Sequence, residues 1–193
     1  MTWLLIVLVL VVAFGPVLWL VPSKRDKRLS ALRSRARSEG LIVEMRRIPN
    51  PNPAPEERVS AGGKVRNPVI ECASYGLPLA RGLKYLPSWR VVRTPAEEGP
   101  DPFQDWQYDQ RAKGEGREYL DEMLARAETL LEALPEDVAA LEVGARMVLV
   151  YWLEKPGSTE SSVPDLAAAM RVFADSLSDL DRQIEAARSS NDS

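Results

Sequence analysis

The sequence predicts an α+β protein with one N-terminal transmembrane helix, a small antiparallel three-stranded sheet and then a three-helix bundle. Three observations carry this reading. Residues 3–21, WLLIVLVLVVAFGPVLWLV, contain no charged side chain. Between residues 41 and 94, short apolar runs rich in β-branched residues alternate with proline and glycine. From residue 117 onward, apolar side chains recur at helical spacings of three and four.

The first run suits a bilayer. About 19 residues rising ~1.5 Å each nearly match the roughly 30 Å hydrocarbon core. Trp3 and Trp19 stand near its ends, where an indole keeps its N–H near water, and Gly15-Pro16 predicts a kink. A cleaved signal peptide is the rival reading. It would need a basic leader and a shorter apolar core, and only Met1 and Thr2 precede this one. Residues 1–22 are therefore expected to form the span.

Residues 23–40 follow as a basic juxtamembrane helix. Lys24, Arg25, Lys27, Arg28, Arg33, Arg35 and Arg37 stand against one acid, Asp26. Ser23 supplies an N-cap, and Gly40 a C-terminal stop. Leu29, Leu32 and Ala36 form a thin apolar face. Positive charge beside a span stays inside, which predicts a single-pass layout with the N-terminus outside and the C-terminal domain cytoplasmic. Lys24, Arg25, Lys27, Arg28 and Arg33 are the expected contacts to the lipid bilayer and its anionic headgroups. Net charge supports the layout: residues 1–47 carry +6, residues 48–114 carry +1 and residues 115–193 carry −10. The basic run lacks interleaved aromatics and no nucleic-acid fold signature follows, so no nucleic-acid partner is expected. The single cysteine, Cys72, suits a reducing compartment.

Residues 41–94 read as a small β region. Residues 41–48 (LIVEMRRI), 65–75 (VRNPVIECASY) and 84–93 (KYLPSWRVVR) are the expected strands, with the proline-rich stretch 50–57 and Gly62-Gly63 as loop and turn. Residues 95–116 read as an acidic linker containing Phe103, Trp106 and Tyr108. These aromatics either pin the linker to a neighbouring domain or form an exposed patch for a protein partner.

Residues 117–188 read as the three-helix bundle, with a disordered tail at 189–193. The first helix places Leu120, Met123, Leu124, Ala127, Leu130 and Leu131 on one stripe. The second starts at Pro135 and is apolar nearly all round at residues 143–153, VGARMVLVYWL, which predicts a central helix with Trp152 in its core. The third follows a Ser162–Asp165 capping pattern and carries Leu166, Met170, Phe173, Leu177, Leu180 and Ile184. Acid pairs Asp121/Glu122 and Asp179/Asp181 are expected on solvated helix faces.

The available chemistry is narrow. The chain has no histidine, which removes imidazole-based catalysis and metal ligation. One cysteine cannot build a thiolate zinc site or a redox pair; Cys72 reads as a small buried residue. Gly62-Gly63-Lys64 fails the phosphate-loop spacing, since Arg58 stands at the first glycine position and Val65 replaces the Ser/Thr. No catalytic residue, cofactor or metal is expected.

The segment GPVLWLVPSKRDKRLSALRSRARSEGL together with LPEDVAALEVGARMVLVYWLEK resembles a group of gammaproteobacterial single-pass inner-membrane proteins. Some of these are labelled YajC-like preprotein translocase subunits. The resemblance implies one span, a basic flank, a small β region and a place in the bacterial inner (cytoplasmic) membrane. The KGDEVVT-like motif of that subunit is absent here, and no functional residue carries over. The expected function is a membrane-anchored, non-catalytic interaction or accessory protein in envelope biogenesis or protein translocation, with an unidentified protein partner. The alternative is a membrane-anchored enzyme or ligand-binding module, which a polar cleft between sheet and helices would favour.

Overall fold

The computed structural model describes Trp3 and residues 23–60, 62–94, 105–113 and 115–191. In chain order the elements are helix α1 (Lys24–Ser38), strand β1 (Ile42–Pro49), the short helix α2 (Pro55–Arg58), strands β2 (Val69–Pro78), β3 (Ser88–Arg93) and β4 (Trp106–Lys113), helix α3 (Leu120–Ala133), strands β5 (Val138–Val143) and β6 (Met147–Trp152), and helix α4 (Val163–Asn191). The six strands form one antiparallel sheet in the order β1-β2-β6-β5-β3-β4.

This corrects the expected architecture of three strands and a three-helix bundle. Residues 138–152 are a hairpin, not the middle helix of a bundle. VAALEV and MVLVYW are rich in β-branched and aromatic residues, and Gly144-Ala145-Arg146 turns the chain between them. A run apolar on every side satisfies a buried helix or a strand covered on both faces equally well, so periodicity alone cannot separate them. β5 and β6 are the two central strands, where both faces are shielded. The 95–116 stretch is not wholly a linker either: its second half is edge strand β4.

The single-pass membrane layout is also corrected. No helix among the described residues is long and apolar enough to cross a membrane. The expected span, residues 3–21, lies outside the described residues apart from Trp3.

Alternation along the strands gives the sheet two different faces. On one, Ala73, Tyr75, Trp89, Val91, Leu141, Val143, Val148, Val150 and Trp152 meet the apolar stripes of α1, α3 and α4. Met123, Ala127 and Leu130 come from α3; Leu166, Met170, Phe173 and Leu177 come from α4. Trp152 is fully buried, as expected, but from a strand: Ala73 and Val138 flank it across the sheet, and its ring lies 5.3 Å from that of Tyr75. The second apolar cluster, on the opposite face, consists of strand residues alone: Ile48, Cys72, Val92, Ala139, Ala140, Leu149 and Tyr151.

α1 shows how local signals and tertiary contacts combine. Ser23 and Asp26 form a reciprocal capping box, and Gly40 takes φ +82° at the end. Its thin apolar face does not rest on a membrane surface: Leu32 and Ala36 are fully buried in the core. Arg28 donates to Lys155 O and Ser158 O at 2.7 Å and to Glu154 O at 2.9 Å. Arg33 forms a two-pronged ion pair with the Glu154 carboxylate, which also accepts from Tyr75 Oη at 2.7 Å. Glu154 is 6% exposed and adopts φ +52°, a left-handed conformation uncommon outside glycine.

A second buried carboxylate fixes the other end of the sheet. Asp181 on α4, expected on a solvated face, is 1% exposed. Its Oδ1 accepts from the backbone N–H groups of Lys84 and Tyr85 at 2.9 and 2.7 Å, anchoring the loop between β2 and β3. Gly116 packs against that loop. A Cβ there would fall 1.9 Å from Tyr85 O, so only glycine fits.

Arg33→Ala should destabilise the protein by about 3 kcal/mol in denaturant unfolding, because it strips a buried carboxylate of its cation; a loss within error would mean Tyr75 alone satisfies Glu154. An isolated 115–193 fragment should show no cooperative thermal unfolding, because β5 and β6 would lose their neighbours β3 and β2. In the whole chain Trp152→Ala should cost about 3–5 kcal/mol.

Candidate functional site

The antiparallel order gathers at one end of the sheet residues 50–60 and 62–68, Thr94 after β3 and Asp105 before β4, and residues 134–137 and 153–162. Between them lies a cleft of about 440 Å³, within the usual size of small-ligand sites. Its floor is apolar: Ile70, Val138, Ala139 and Leu153. Its rim carries Asn50, Asn52 and Thr94 with charges of both signs, Arg93 and Lys155 against Asp105 and Glu136. A second hollow of about 470 Å³ shares Glu136 and Lys155 and continues toward Trp152 and Ser158 beneath the 153–162 loop.

Local hydrogen bonds hold this rim. Asn50 Nδ2 donates to Glu57, and Asn50 Oδ1 accepts from Asn52 N–H at 3.1 Å, a side-chain turn of the kind asparagine favours. Thr94 N–H donates to Asp105 O at 2.9 Å, closing the base of the β3–β4 connection. Asp137 Oδ2 accepts from Lys155 N–H at 2.8 Å and from Ser158 Oγ at 2.5 Å, tying the β5 entry to the β6 exit.

Arg93 is the chemically distinctive group. Its guanidinium stacks 4.7 Å from the centroid of the Trp106 ring and donates through Nη1 to Pro135 O at 2.9 Å. Burial pulls it below its ordinary pKa, against the opposing pull of Asp105, Glu136 and Asp137; arginine stays cationic at neutral pH regardless. Its Nε is buried with no hydrogen-bond partner among the described residues. That donor has no access to solvent, and an acceptor from outside can meet only the part of the guanidinium that lines the cleft.

The residues expected from sequence are dispersed. Lys24, Arg25 and Lys27 are exposed on α1, whereas Arg28 and Arg33 are committed to the 154–158 loop inside the protein. Trp106 is 5% exposed in the core and Tyr108 is half-buried against it, so neither offers an open aromatic patch. Phe103 lies outside the described residues. The distal acidic residues do not form a separate bundle surface. Sequence reasoning misses the cleft residues because they come from strand ends and loops far apart in the chain. Neighbours in sequence supply only small groups, such as Asn50 with Asn52, Arg93 with Thr94 and Leu153 with Lys155.

Reactive groups are subdued. Cys72 is buried, and that burial, with Glu154 adding to it, pushes its thiol up to about 11. On the same face Tyr151 Oη donates to Glu142 at 2.7 Å, and Arg90 bridges Glu142 and Asp109. These four side chains form a polar ladder across β6, β5, β3 and β4. Burial first, then the Glu142 bond, raises Tyr151 to about 12. Among the described residues no cluster of acids and cysteine could hold a metal ion.

No protein-family model matches the chain, and no curated protein or solved structure matches it.

The raised thiol and phenol fix an alkaline expectation. The unfolded chain releases these protons from about pH 9 and 10, while the native state holds them to about 11 and 12. The unfolded state therefore binds fewer protons across that window, and stability should fall as pH rises through it. Urea titrations at pH 8, 9.5 and 11 check the sign. Cys72 should also resist an aromatic disulfide reagent at pH 8 until the protein is unfolded.

Proposed function

We propose that this domain is a non-catalytic interaction module that takes a short peptide segment of a partner protein in the cleft at the loop end of the sheet. The observation that carries the reading is Arg93: a half-buried cation on the wall of a cleft with an apolar floor. A peptide carboxylate, from a side chain or a C-terminus, pairs with the cleft-facing edge of that guanidinium, and an adjacent apolar side chain covers Ile70, Ala139 and Leu153. Asp105 and Glu136 on the rim favour a basic residue elsewhere in the same segment, so the preferred peptide has mixed charge around an apolar anchor.

Fluorescence anisotropy with a set of labelled peptides of the pattern acidic–apolar–basic tests this on the full-length chain. Binding should weaken about tenfold or more in Arg93→Ala, as expected for loss of a charge-assisted hydrogen bond, and also in Ala139→Trp, which fills the floor. Val172→Ser, at an exposed site on α4, should bind as wild type. Equal binding by Ala139→Trp and wild type would place the peptide elsewhere.

A further inference from the structure

β1 is an outer strand of the sheet, and no strand among the described residues pairs with its free side. Asn50 N–H donates to Pro68 O at 2.8 Å, one step beyond the Pro49↔Val69 register. In an antiparallel pair, residues alternate between turning both backbone groups toward the partner and turning both away. Even-numbered Ile42, Glu44, Arg46 and Ile48 therefore face β2. Consistently, Glu44 O and Arg46 O accept from Ser74 Oγ and Cys72 Sγ of β2 at 3.3 and 3.7 Å. Odd-numbered Val43, Met45 and Arg47 turn their N–H and C=O groups outward.

The side chains on this strand are self-complementary about Met45. Read antiparallel against a second copy, residues 42–48 (IVEMRRI) place Met45 opposite Met45 of the partner subunit. Glu44 then stands opposite Arg46 of the partner subunit, and Arg46 opposite Glu44 of the partner subunit. Val43 faces Arg47 of the partner subunit. All directly opposed odd-numbered pairs, 43 with 47 and 45 with 45, are those whose backbone groups point outward, so the hydrogen-bond phase and the charge register agree. Met45 and Ile42 are 58% and 44% exposed in the single chain, on opposite faces of the strand. Glu44 and Arg46 lie side by side at 2.8 Å, so both charges are already on one face and available across the edge.

We propose that β1 pairs with β1 of a second copy about a two-fold axis through Met45, joining two six-stranded sheets into one. Each copy satisfies the outward backbone groups of the other, two Glu44–Arg46 pairs form across the axis, and the two Met45 side chains cover one another. A contact of one strand on each side lies at the small end of specific interfaces, so the dimer forms in a concentration-dependent way. The isologous contact also uses up an edge that would otherwise recruit other chains.

Sedimentation velocity of the full-length chain tests this, in mild detergent so that the apolar run at 3–21 is masked. Wild type should shift from monomer toward dimer as protein concentration rises. Glu44→Arg and Arg46→Glu should each weaken dimerisation roughly tenfold, because each replaces two attractive opposed pairs with two repulsive ones. An equimolar mixture of these two variants should dimerise again, since each opposed pair across the axis then joins an arginine of one chain to a glutamate of the other. The double variant Glu44→Arg/Arg46→Glu should recover the wild-type behaviour. Circular dichroism melts confirm that each variant is folded. A wild type that stays monomeric, single reversals that leave association unchanged, or a mixture that fails to associate would each overturn the proposal.

Discussion

The Glu154 carboxylate is the constraint on which the arrangement of this protein depends. A carboxylate removed from water costs several kcal/mol unless a cation and hydrogen bonds meet it. Here Arg33 and Tyr75 do so, one from α1 and one from β2. The same residue turns left-handed immediately after β6, and its carbonyl is one of three held by Arg28. Helix α1 is thereby fixed over the sheet, and the 153–162 loop is fixed at the sheet's end. Lys155 and Ser158, which line the two adjoining hollows, take their positions from that loop. Helix α1 is thus a structural part of the domain.

The sheet solves a problem of unequal faces. One face is covered by three helices and holds the large aromatic residues Trp89, Trp152 and Tyr75. On the other, Ile48, Cys72, Leu149 and Tyr151 are buried without any helix in their cluster. Long polar side chains around them supply the difference. Arg46 and Arg90 lie close enough to Tyr151 to act on its phenol, and Arg90 is held in place by Glu142 and Asp109. Amphipathic stems of this kind cover apolar surface while their charged heads stay near water.

Several elements are legible in the sequence because their signals are local. The Ser23 cap, the Gly40 stop, the amphipathic stripes of α3 and α4 and the first strand all follow from residues within a few positions of one another. The β5–β6 hairpin is not. Residues 143–153 lack the polar alternation that marks a one-sided strand, because this strand is shielded on both faces by partners far away in the chain. Asp181 escapes a sequence reading for a related reason. Its helix position does not reveal that the Lys84 and Tyr85 amides approach it from a loop nearly a hundred residues earlier. Trp106 and Tyr108 can be assigned to pinning rather than exposure only once β4 is seen paired with β3.

What the sequence determined by itself was chemical inventory and local conformation: no imidazole, a lone cysteine, a basic N-terminal helix and two amphipathic helices, each dictated by side-chain identity and short-range spacing. The tertiary structure decided where charge is spent. Arg28 and Arg33 serve buried carbonyls and a carboxylate rather than a surface, because only chain closure brings Glu154 beneath them. It decided the cleft as well, since Arg93, Asn50, Glu136 and Lys155 meet only when antiparallel pairing brings ends of β1, β3, β5 and β6 to the same end of the sheet.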